Sequence, residues 1–336
     1  GEVRKATCKA DGELRAVKVM ERTGDAAEIE FIRREVEVMR QIQHQNIVRT
    51  YDIFDEGRNL YIIMDYVGGG DLFEVIAANE NFTEKNAAQV MTEVLEGINY
   101  LHKVKQIVHR DIKPENILCV KSDFPFQIKL TDFGFANIAD PNLQMQTLIG
   151  TPFYMAPEIL KKEGHSYPVD IFACGVVLYA MLSGTLPFES EEGDEEENVF
   201  QLITEGKVTF PEEDWHGVSE EAKELVKLML HPDPEKRPTA EECLQHVWFS
   251  TIKKKHGMKR LESDLSRLRN LTSGSSKRAN SSNVGSDIIN LNLSNKDVLT
   301  ATSAPGSSPA PGSPSAAHAP AASASTVAAA AAPAAP

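Results

Sequence analysis

The chain has 336 residues, about two domains by length, and a formal net charge of −14. This acidity argues against general binding to nucleic acids or anionic membranes, because both attract basic protein surfaces. The four cysteines show no paired spacing, so we expect no disulfide framework, no cysteine metal site and an intracellular location, cytoplasmic or nuclear. The sequence shows no secretory signal and no apolar run long enough to span a bilayer.

The first 66 residues predict a small lobe that is rich in strands. GEVRKATCKADGELRAVKVM predicts two strands joined by a turn at Asp11-Gly12, a pair that favours hairpins. Residues 27–43 have apolar side chains on one side and acids and arginines on the other, which predicts an amphipathic helix. NIVRTYDIFDEGRNLYIIMDYV predicts two more strands around a turn at Glu56-Gly57.

Helical patterns dominate after the glycines at 68–70. The predicted helices are Asp71–Ala78, Glu84–Lys103, Pro168–Ser183, Asn198–Glu205, Ser219–Leu230 and Ala240–Val247. The sequence therefore predicts an α+β protein, with a strand-rich part joined to a helical part near residues 67–70.

The last part of the chain has a different composition. From Leu271 onward it is mostly Ser, Ala, Asn, Pro and Gly without aromatic residues, so it cannot bury enough apolar surface to offset the entropy of ordering. We expect a disordered tail over 272–336. Residues 250–271 form a separate segment, basic and amphipathic, and a candidate regulatory helix.

The stretch VHRDIKPENIL, residues 108–118, places both signs of charge and one Asn between apolar ends. It resembles the H-R-D-x-K-x-x-N catalytic loop of protein kinases. Other kinase motifs follow in the same order along the chain: AVK at 16–18, an acidic helix with Glu35, DFG at 132–134, APE at 156–158, then Asp170 and Arg237. The resemblance covers residues 1–249 and implies a bilobal kinase fold, with a small antiparallel β-sheet lobe at 1–66 that lacks the first strand and a mainly helical large lobe at 67–249.

The resemblance assigns the phosphoryl-transfer roles. Lys18 is expected to hold the α- and β-phosphates of ATP, and Glu35 to fix that lysine. Glu35 could also be one more solvated acid on its helix; its register before Met39 favours the pairing. Asp111 resembles the base that accepts the substrate hydroxyl proton, and Lys113 is expected near the transferring phosphoryl group.

ATP and Mg²⁺ are the implied cofactors. Asn116 and Asp132 are similar to the two metal ligands, in keeping with the preference of Mg²⁺ for hard oxygen atoms; Asp132 could instead be only a turn residue. Met64 is similar to the residue behind the adenine, although an apolar strand residue there could be plain core. The residues expected around ATP are Val3, Ala16, Lys18, Met64, Asp65, Val67, Asp71 and Leu118.

The resemblance also implies regulatory and structural residues. Thr147 corresponds to a position that is often phosphorylated by an upstream kinase, and Arg110 is its expected partner; Thr147 could also be an ordinary loop hydroxyl. Thr151 is expected to shape the groove beside the phosphoacceptor. Three residues are expected to be structural: Glu158, Asp170 and Arg237.

The sequence departs from the family pattern in two places. Only the end of the glycine-rich loop is present, with Gly1 as its third glycine and Val3 as its valine, so we expect the natural protein to be longer. Thr50 stands where relatives often have Leu, in a column of apolar side chains between the lobes.

Several segments resemble the calcium/calmodulin-dependent group of Ser/Thr kinases: MDYVGGGDLF, LIGTPFYMAPEIL and HPDPEKRPTAEECLQHVWF. That group favours an Arg three residues before the phosphoacceptor. Asp71 and Glu115 are the acids expected to recognise it, while the acidic run at 189–197 could contribute or be a solvated insertion. Protein substrates with basic sequences are therefore the expected partners.

The segment after Trp248 carries an apolar stripe, Met258, Leu261, Leu265 and Leu268, beside lysines and arginines. This pattern is similar to calmodulin targets. A helix that packs on the large lobe explains it equally well. Ser263 and Ser281 each follow an arginine by three residues and are candidate autophosphorylation sites.

Two functions of different classes fit these observations. An active Ser/Thr kinase is favoured by the intact Lys18, Asp111, Asn116 and Asp132. A pseudokinase that acts as a regulated scaffold is the alternative, supported only by the shortened glycine-rich loop. Phosphate transfer from ATP to a basic peptide distinguishes the two.

Overall fold

A computed structural model describes residues 2–21, 39–56, 59–79, 82–122, 125, 127–132, 152–162, 166–188, 196–254 and 268 of the chain. All of them belong to one unit, residues 1–294. Strands, helices and contacts are given within these ranges.

The small lobe is a four-stranded antiparallel sheet in the order β1-β2-β4-β3. Its strands are β1 Glu2–Thr7, β2 Leu14–Glu21, β3 Thr50–Glu56 and β4 Asn59–Asp65. The predicted turn between β1 and β2 is present, and Gly12 adopts a φ of +75°, which glycine accepts without strain. The predicted turn at Glu56-Gly57 and most of the predicted helix at 27–43 lie outside the described residues; residues 39–40 are helical.

The pairing of the strands separates the two faces of this sheet. Val3 pairs with Lys18, and Ala16 pairs with Met64, so these side chains lie on the same face. The opposite face buries Val17 against a small separate apolar cluster. Because strand residues alternate between faces, one face is left for a ligand and for the large lobe.

The large lobe is built mainly from helices. These are α1 Leu72–Ala78, α2 Glu84–Asn99, α3 Pro157–Leu160, α4 Pro168–Ser183, α5 Glu196–Glu205, α6 Glu212–Trp215, α7 Glu220–Met229, α8 Ala240–Gln245 and α9 Val247–Lys254. Two short strands, β5 Ile117–Cys119 and β6 Ile128–Leu130, pair in antiparallel fashion beneath the small lobe.

Helix α4 is the centre of the large lobe. From Val169 to Ser183 every one of its residues is buried, as expected for a helix that is apolar all round. Gly175 permits the close approach of α7, since a Cβ there would lie 2.9 Å from Leu230 and Met229. The helix ends at Gly184, whose φ of +80° forms a left-handed cap.

A buried carboxylate ties three helices of this lobe together. Glu84, in the first turn of α2, accepts a hydrogen bond from Trp248 Nε1 at 2.7 Å and a bond from the Ser219 hydroxyl. Ser219 caps α7 and Trp248 belongs to α9. The charge is therefore satisfied inside the lobe while it fixes how these helices meet.

Glu158 and Arg237 form a buried bidentate ion pair, with Nη1–Oε1 and Nη2–Oε2 distances of 2.6 and 2.7 Å. The remaining donors of the guanidinium bind carbonyls, Nε to His231 at 2.7 Å and Nη1 to Pro168 at 3.1 Å. The pair joins the start of α3 to the loop before α8.

The predicted helices of the large lobe are present, with two differences. The helix expected over Glu84–Lys103 is α-helical only to Asn99 and continues as a π-helix over Tyr100–Lys105. The helix predicted to end at Val247 ends at Gln245, and α9 begins separately at Val247. A wider helical turn and a break between two helices depend on tertiary packing, which periodicity does not report.

Replacing Arg237 by Ala is expected to lower the free energy of unfolding by about 3–5 kcal/mol, because the Glu158 carboxylate is left buried without its partner. Lys103→Ala is the control, since the Lys103–Glu241 pair is exposed on both sides (56% and 53%) and should contribute less than about 1 kcal/mol. Urea denaturation measures both. Equal losses in the two variants would contradict this account of the buried pair.

Candidate active site

The loop that carries the predicted catalytic residues is held by one buried carboxylate. Asp170, in the first turn of α4, accepts hydrogen bonds from the backbone N–H groups of His109 and Arg110 at 2.7 Å each. His102 Nε2, supplied by the π-helix, lies 2.8 Å from the same carboxylate. Arg110 adopts a φ of +70°, a strained conformation that persists only when its surroundings enforce it.

Asp111, Lys113 and Asn116 form one hydrogen-bonded cluster after this anchor. Lys113 Nζ lies 2.9 Å from both carboxylate oxygens of Asp111. Asn116 Nδ2 donates to the carbonyl of Asp111 at 2.7 Å and to its Oδ2 at 2.8 Å. The carboxylate is thus held between two donors, which fixes its direction.

Asp132 follows strand β6 by two residues and lies next to this cluster. The backbone N–H of Thr131 donates to the carbonyl of Asn116 at 3.0 Å, which places the end of β6 beside the catalytic loop. Asp132 has a φ of +62°, and its Oδ1 lies 2.7 Å from Lys18 Nζ. A cation from the small lobe and an acid from the large lobe therefore meet at the cleft.

The two residues predicted to hold a metal fit a magnesium ion. Both hydrogen bonds of Asn116 Nδ2 go to acceptors, so the orientation of its amide is fixed and Oδ1 is the atom suited to a cation. Asp132 supplies a carboxylate. Within the described residues no three His, Cys, Asp or Glu side chains converge at one point.

The predicted adenine residues lie around the cleft between the lobes. Ala16 and Met64 are buried side by side, whereas Val3 is 43% exposed at the edge of the sheet. Leu118, half-buried, forms an isolated bridge with Asp71 from the other side. The two lobes are joined by a linker at residues 67–70. Its backbone runs close to β5, because a Cβ at Gly69 would lie 2.3 Å from the carbonyl oxygen of Cys119.

Comparison with known proteins identifies the family. Residues 1–249 match the model of the protein kinase domain. The chain belongs to the protein kinase family. Members of this family use ATP together with Mg²⁺.

Curated relatives place the kinase near the calcium-regulated Ser/Thr kinases. A probable myosin light chain kinase of Dictyostelium discoideum is 34% identical over 78% of this chain and 65% of its own length. A calcium/calmodulin-dependent protein kinase of Emericella nidulans is 38% identical over 74% of this chain and 59% of its own. Calcium-dependent protein kinase 7 of Arabidopsis thaliana is 38% identical over 74% of this chain and 46% of its own length. The chain thus spans less than two thirds of these relatives.

Two acids of the kinase lie near the catalytic cluster: Asp71 at the start of α1 and Glu115 in the catalytic loop. Burial, with the nearby charges of Glu74 and Glu115, raises the pKa of Asp71 to about 6, although its carboxylate also caps α1 through the Glu74 N–H at 3.0 Å. Glu115 Oε2 is buried and has no hydrogen-bond partner within the described ranges. Burial and the charges of both acids also raise the pKa of Tyr154.

Sequence reasoning missed a set of contacts behind the linker. The side chain of Asp65 accepts a hydrogen bond from Tyr51 Oη at 2.8 Å and one from the backbone N–H of Arg49 at 3.2 Å. Lys129 of β6 lies 3.2 Å from Oδ2, the same oxygen that accepts from the Arg49 N–H. The sequence pointed only to the backbone of Asp65; its carboxylate joins both lobes at the linker. No motif marks Tyr51 or Lys129.

Several predicted residues lie outside the described part of the kinase. They are Glu35, Thr147, Thr151, Ser263 and Ser281, with Phe133, Gly134 and most of the acidic run at 189–197. Thr50 is described; it is 5% exposed and pairs with Met64 at the start of the edge strand β3. No described helix has the length and apolar character needed to cross a membrane.

Tyr51→Phe is expected to lower the free energy of unfolding by about 1 kcal/mol and to speed amide hydrogen exchange over residues 64–70, because the Asp65 carboxylate loses a donor. Tyr61→Phe is the matched control on the next strand, since its hydroxyl makes only a 3.4 Å contact with Asn59. Hydrogen-exchange mass spectrometry compares the two. Equal exchange over 64–70 would show that Tyr51 does not brace the linker.

Proposed function

We propose that the chain transfers the γ-phosphoryl group of ATP to serine and threonine hydroxyls of proteins that carry a basic residue before the phosphoacceptor. The observation that carries this proposal is the Lys18–Asp132 contact of 2.7 Å, beside the cluster of Asp111, Lys113 and Asn116. Phosphoryl transfer needs groups of both signs in fixed positions, and this cleft supplies them.

Asp111 is assigned as the group that aligns the substrate hydroxyl. As the hydroxyl oxygen forms its bond to the γ-phosphorus and the bond to the β-phosphate oxygen breaks, the hydroxyl proton passes to Asp111. Lys113 neutralises the charge on the transferring group, to which it is directed by its 2.9 Å contacts with Asp111. Both residues are pre-positioned, so little reorganisation is needed during the reaction.

Lys18 is assigned to the α- and β-phosphates, with Glu35 as its proposed partner. Asn116 and Asp132 are assigned to Mg²⁺, which when bound neutralises the charge of the triphosphate. Val3, Ala16, Met64 and Leu118 are assigned to the two apolar surfaces around the adenine. The backbone groups of Asp65 and Val67 are assigned to its polar edge.

Asp111→Asn is expected to lower the rate of phosphate transfer to a basic peptide by a factor on the order of 10²–10⁴, because the amide cannot accept the proton. Asp233→Asn, an exposed cap that an amide can replace, should leave the rate unchanged. Radiolabelled ATP measures both, in this chain and in one with a complete glycine-rich loop. If neither chain labels the peptide above the background of the Asp111→Asn variant, the scaffold alternative is favoured.

A basic residue in the substrate is supported by the state of the acids beside the catalytic loop. Glu115 holds a buried oxygen that has no hydrogen-bond partner among the described residues, and Asp71 retains its charge only at a cost, as its raised pKa shows. An arginine would satisfy both carboxylates at once and relieve their mutual repulsion. We assign this pair to the arginine three residues before the phosphoacceptor.

The preference for this arginine should depend on pH through Asp71. Its raised pKa means that the carboxylate is charged above about pH 6 and neutral below it. The ratio of kcat/KM for peptides with Arg and with Ala at this position should therefore fall about fourfold from pH 7.5 to 5.5. Groups whose titration changes kcat/KM equally for both peptides cancel in this ratio.

Asp71→Asn should lower this ratio at pH 7.5 and make it independent of pH in the same range. Glu213→Gln, an exposed acid of α6, is the control and should leave the profile unchanged. A ratio that stays constant with pH in the unmodified chain would refute the role of Asp71, without affecting the assignment of Asp111.

We assign residues 1–249 to the catalytic domain. Thr147 is assigned to phosphorylation by an upstream kinase, with Arg110 as the partner of the phosphate. Thr151 is assigned to the phosphoacceptor groove. Calmodulin remains a candidate partner for residues 250–271; Leu268 of that segment is fully buried, which favours packing against the large lobe in the absence of calmodulin.

A further inference from the structure

A groove lies on the large lobe between α2, α9 and the loop at residues 45–46. Its volume is about 390 Å³. Ala88, Phe249 and Ile252 form its apolar part, while its polar residues include Glu93 and Glu96 on α2. None of its lining residues is assigned to ATP, to the metal or to the peptide, so it is separate from the active site.

One polar atom in this groove, Asn46 Oδ1, has no hydrogen-bond partner in the described part of the chain. Asn46 is 3% exposed, and its Nδ2 donates to Glu93 Oε2 at 3.1 Å and to the carbonyl of Ile128 at 3.3 Å. These two acceptors fix the orientation of the amide, which leaves Oδ1 as the acceptor. Oδ1 is buried and receives no hydrogen bond within the described residues. A buried carbonyl of this kind is costly unless a donor reaches it.

The polar side of the groove is acidic. Glu93 accepts a hydrogen bond from the backbone N–H of Ile128 at 2.9 Å, and Glu96 has only a long contact, 3.5 Å, from Gln45 Nε2. Burial and the charge of Glu96 raise the pKa of Glu93. The lining also includes a cation, Lys85, but it lies in the first turn of α2, about two turns before Glu93. An occupant should therefore bring both cations and apolar side chains.

The chain itself supplies such an occupant directly beside the groove. Helix α9, which contributes Phe249 and Ile252, ends at Lys254, and the sequence continues as KHGMKRLESDLSRL. This stretch starts with cations at 255, 259 and 260 and carries Met258 and Leu261 at helical spacing. At its far end Leu268 is 0% exposed and belongs to the same hydrophobic core as Phe249 and Ile252.

We propose that residues 255–267 dock in this groove, with Met258 and Leu261 on its apolar part and the cations at 255, 259 and 260 on Glu96 and Asn46 Oδ1. The segment begins at the end of α9 and is followed by Leu268, which is buried in the hydrophobic core. A short tether at each end keeps the local concentration of the segment high, so a modest interface is sufficient. The inference does not depend on the proposed substrate preference.

The test places a cysteine in the groove of the full chain. Thr92→Cys puts a thiol on a lining position of α2, and all four natural cysteines are buried, so background labelling is slow. Thr204→Cys on α5 is the matched control, because both threonines are half-buried and donate their hydroxyl to a carbonyl of their own helix, at 2.7 and 3.0 Å. Maleimide labelling rates are then measured by mass spectrometry.

Met258→Asp together with Leu261→Asp should speed labelling of the Thr92→Cys thiol by about tenfold or more, and leave the Thr204→Cys thiol unchanged. Leu291→Asp with Leu293→Asp, apolar residues of the tail beyond the segment, should change neither rate. Equal labelling of the Thr92→Cys thiol with and without the Met258 and Leu261 substitutions would overturn the proposal. Protection that rises with protein concentration would also overturn it, and would assign the groove to a second copy of the chain.

A charge exchange keeps the test decisive if the aspartates unfold the protein, which labelling of the natural cysteines would reveal. Lys259→Glu with Arg260→Glu should also speed labelling of the Thr92→Cys thiol, because the new carboxylates are repelled by Glu96. Adding Glu96→Lys to that chain should restore at least part of the protection, since the charges become opposite again. The absence of any restoration would overturn the proposal.

Discussion

The buried carboxylate of Asp170 is the constraint on which the active site depends. Its oxygens receive the backbone N–H groups of two successive residues, His109 and Arg110, and contact the imidazole of His102. Arg110 can remain at a positive φ only because both adjacent amides are held. This kinked backbone directs Asp111 toward the cleft. The catalytic geometry is thus fixed by the first turn of the buried helix α4, rather than by the exposed loop itself.

The sequence predicted the elements and residues whose signals are local. The spacing of Asp111, Lys113 and Asn116 within one loop, read through its resemblance to kinases, placed them in one cluster because few residues separate them. The order of the motifs likewise predicted the two lobes. The contact of Tyr51 and Lys129 with Asp65 carries no comparable signal, since strand pairing and the meeting of two lobes bring these residues together. The π-helix at Tyr100–Lys105 was missed for the same reason: its cause lies in tertiary packing.

Two buried polar atoms without a hydrogen bond among the described residues lie at positions that we assign to binding. The buried charges of Glu84, Glu158 and Arg237 are satisfied by neighbours within the large lobe, so they stabilise its packing. Glu115 and Asn46 each retain a buried oxygen that receives no hydrogen bond among the described residues. An unpaired buried oxygen is costly, and an incoming donor would recover that cost. The oxygen of Glu115 lies in the catalytic loop, and that of Asn46 lies in the groove between α2 and α9.

Strand β6 connects the groove with the candidate active site. The carbonyl of Asn46 accepts a hydrogen bond from the Leu130 N–H at 2.8 Å, and the Leu130 carbonyl accepts one from the Val48 N–H at 2.9 Å. Two residues after Leu130, Asp132 contacts Lys18. A segment that donates to Asn46 Oδ1 therefore acts on the loop that holds this strand. Docking would stabilise the position of Asp132 without blocking the cleft, so a partner that captures residues 255–267 should loosen the metal site rather than uncover it.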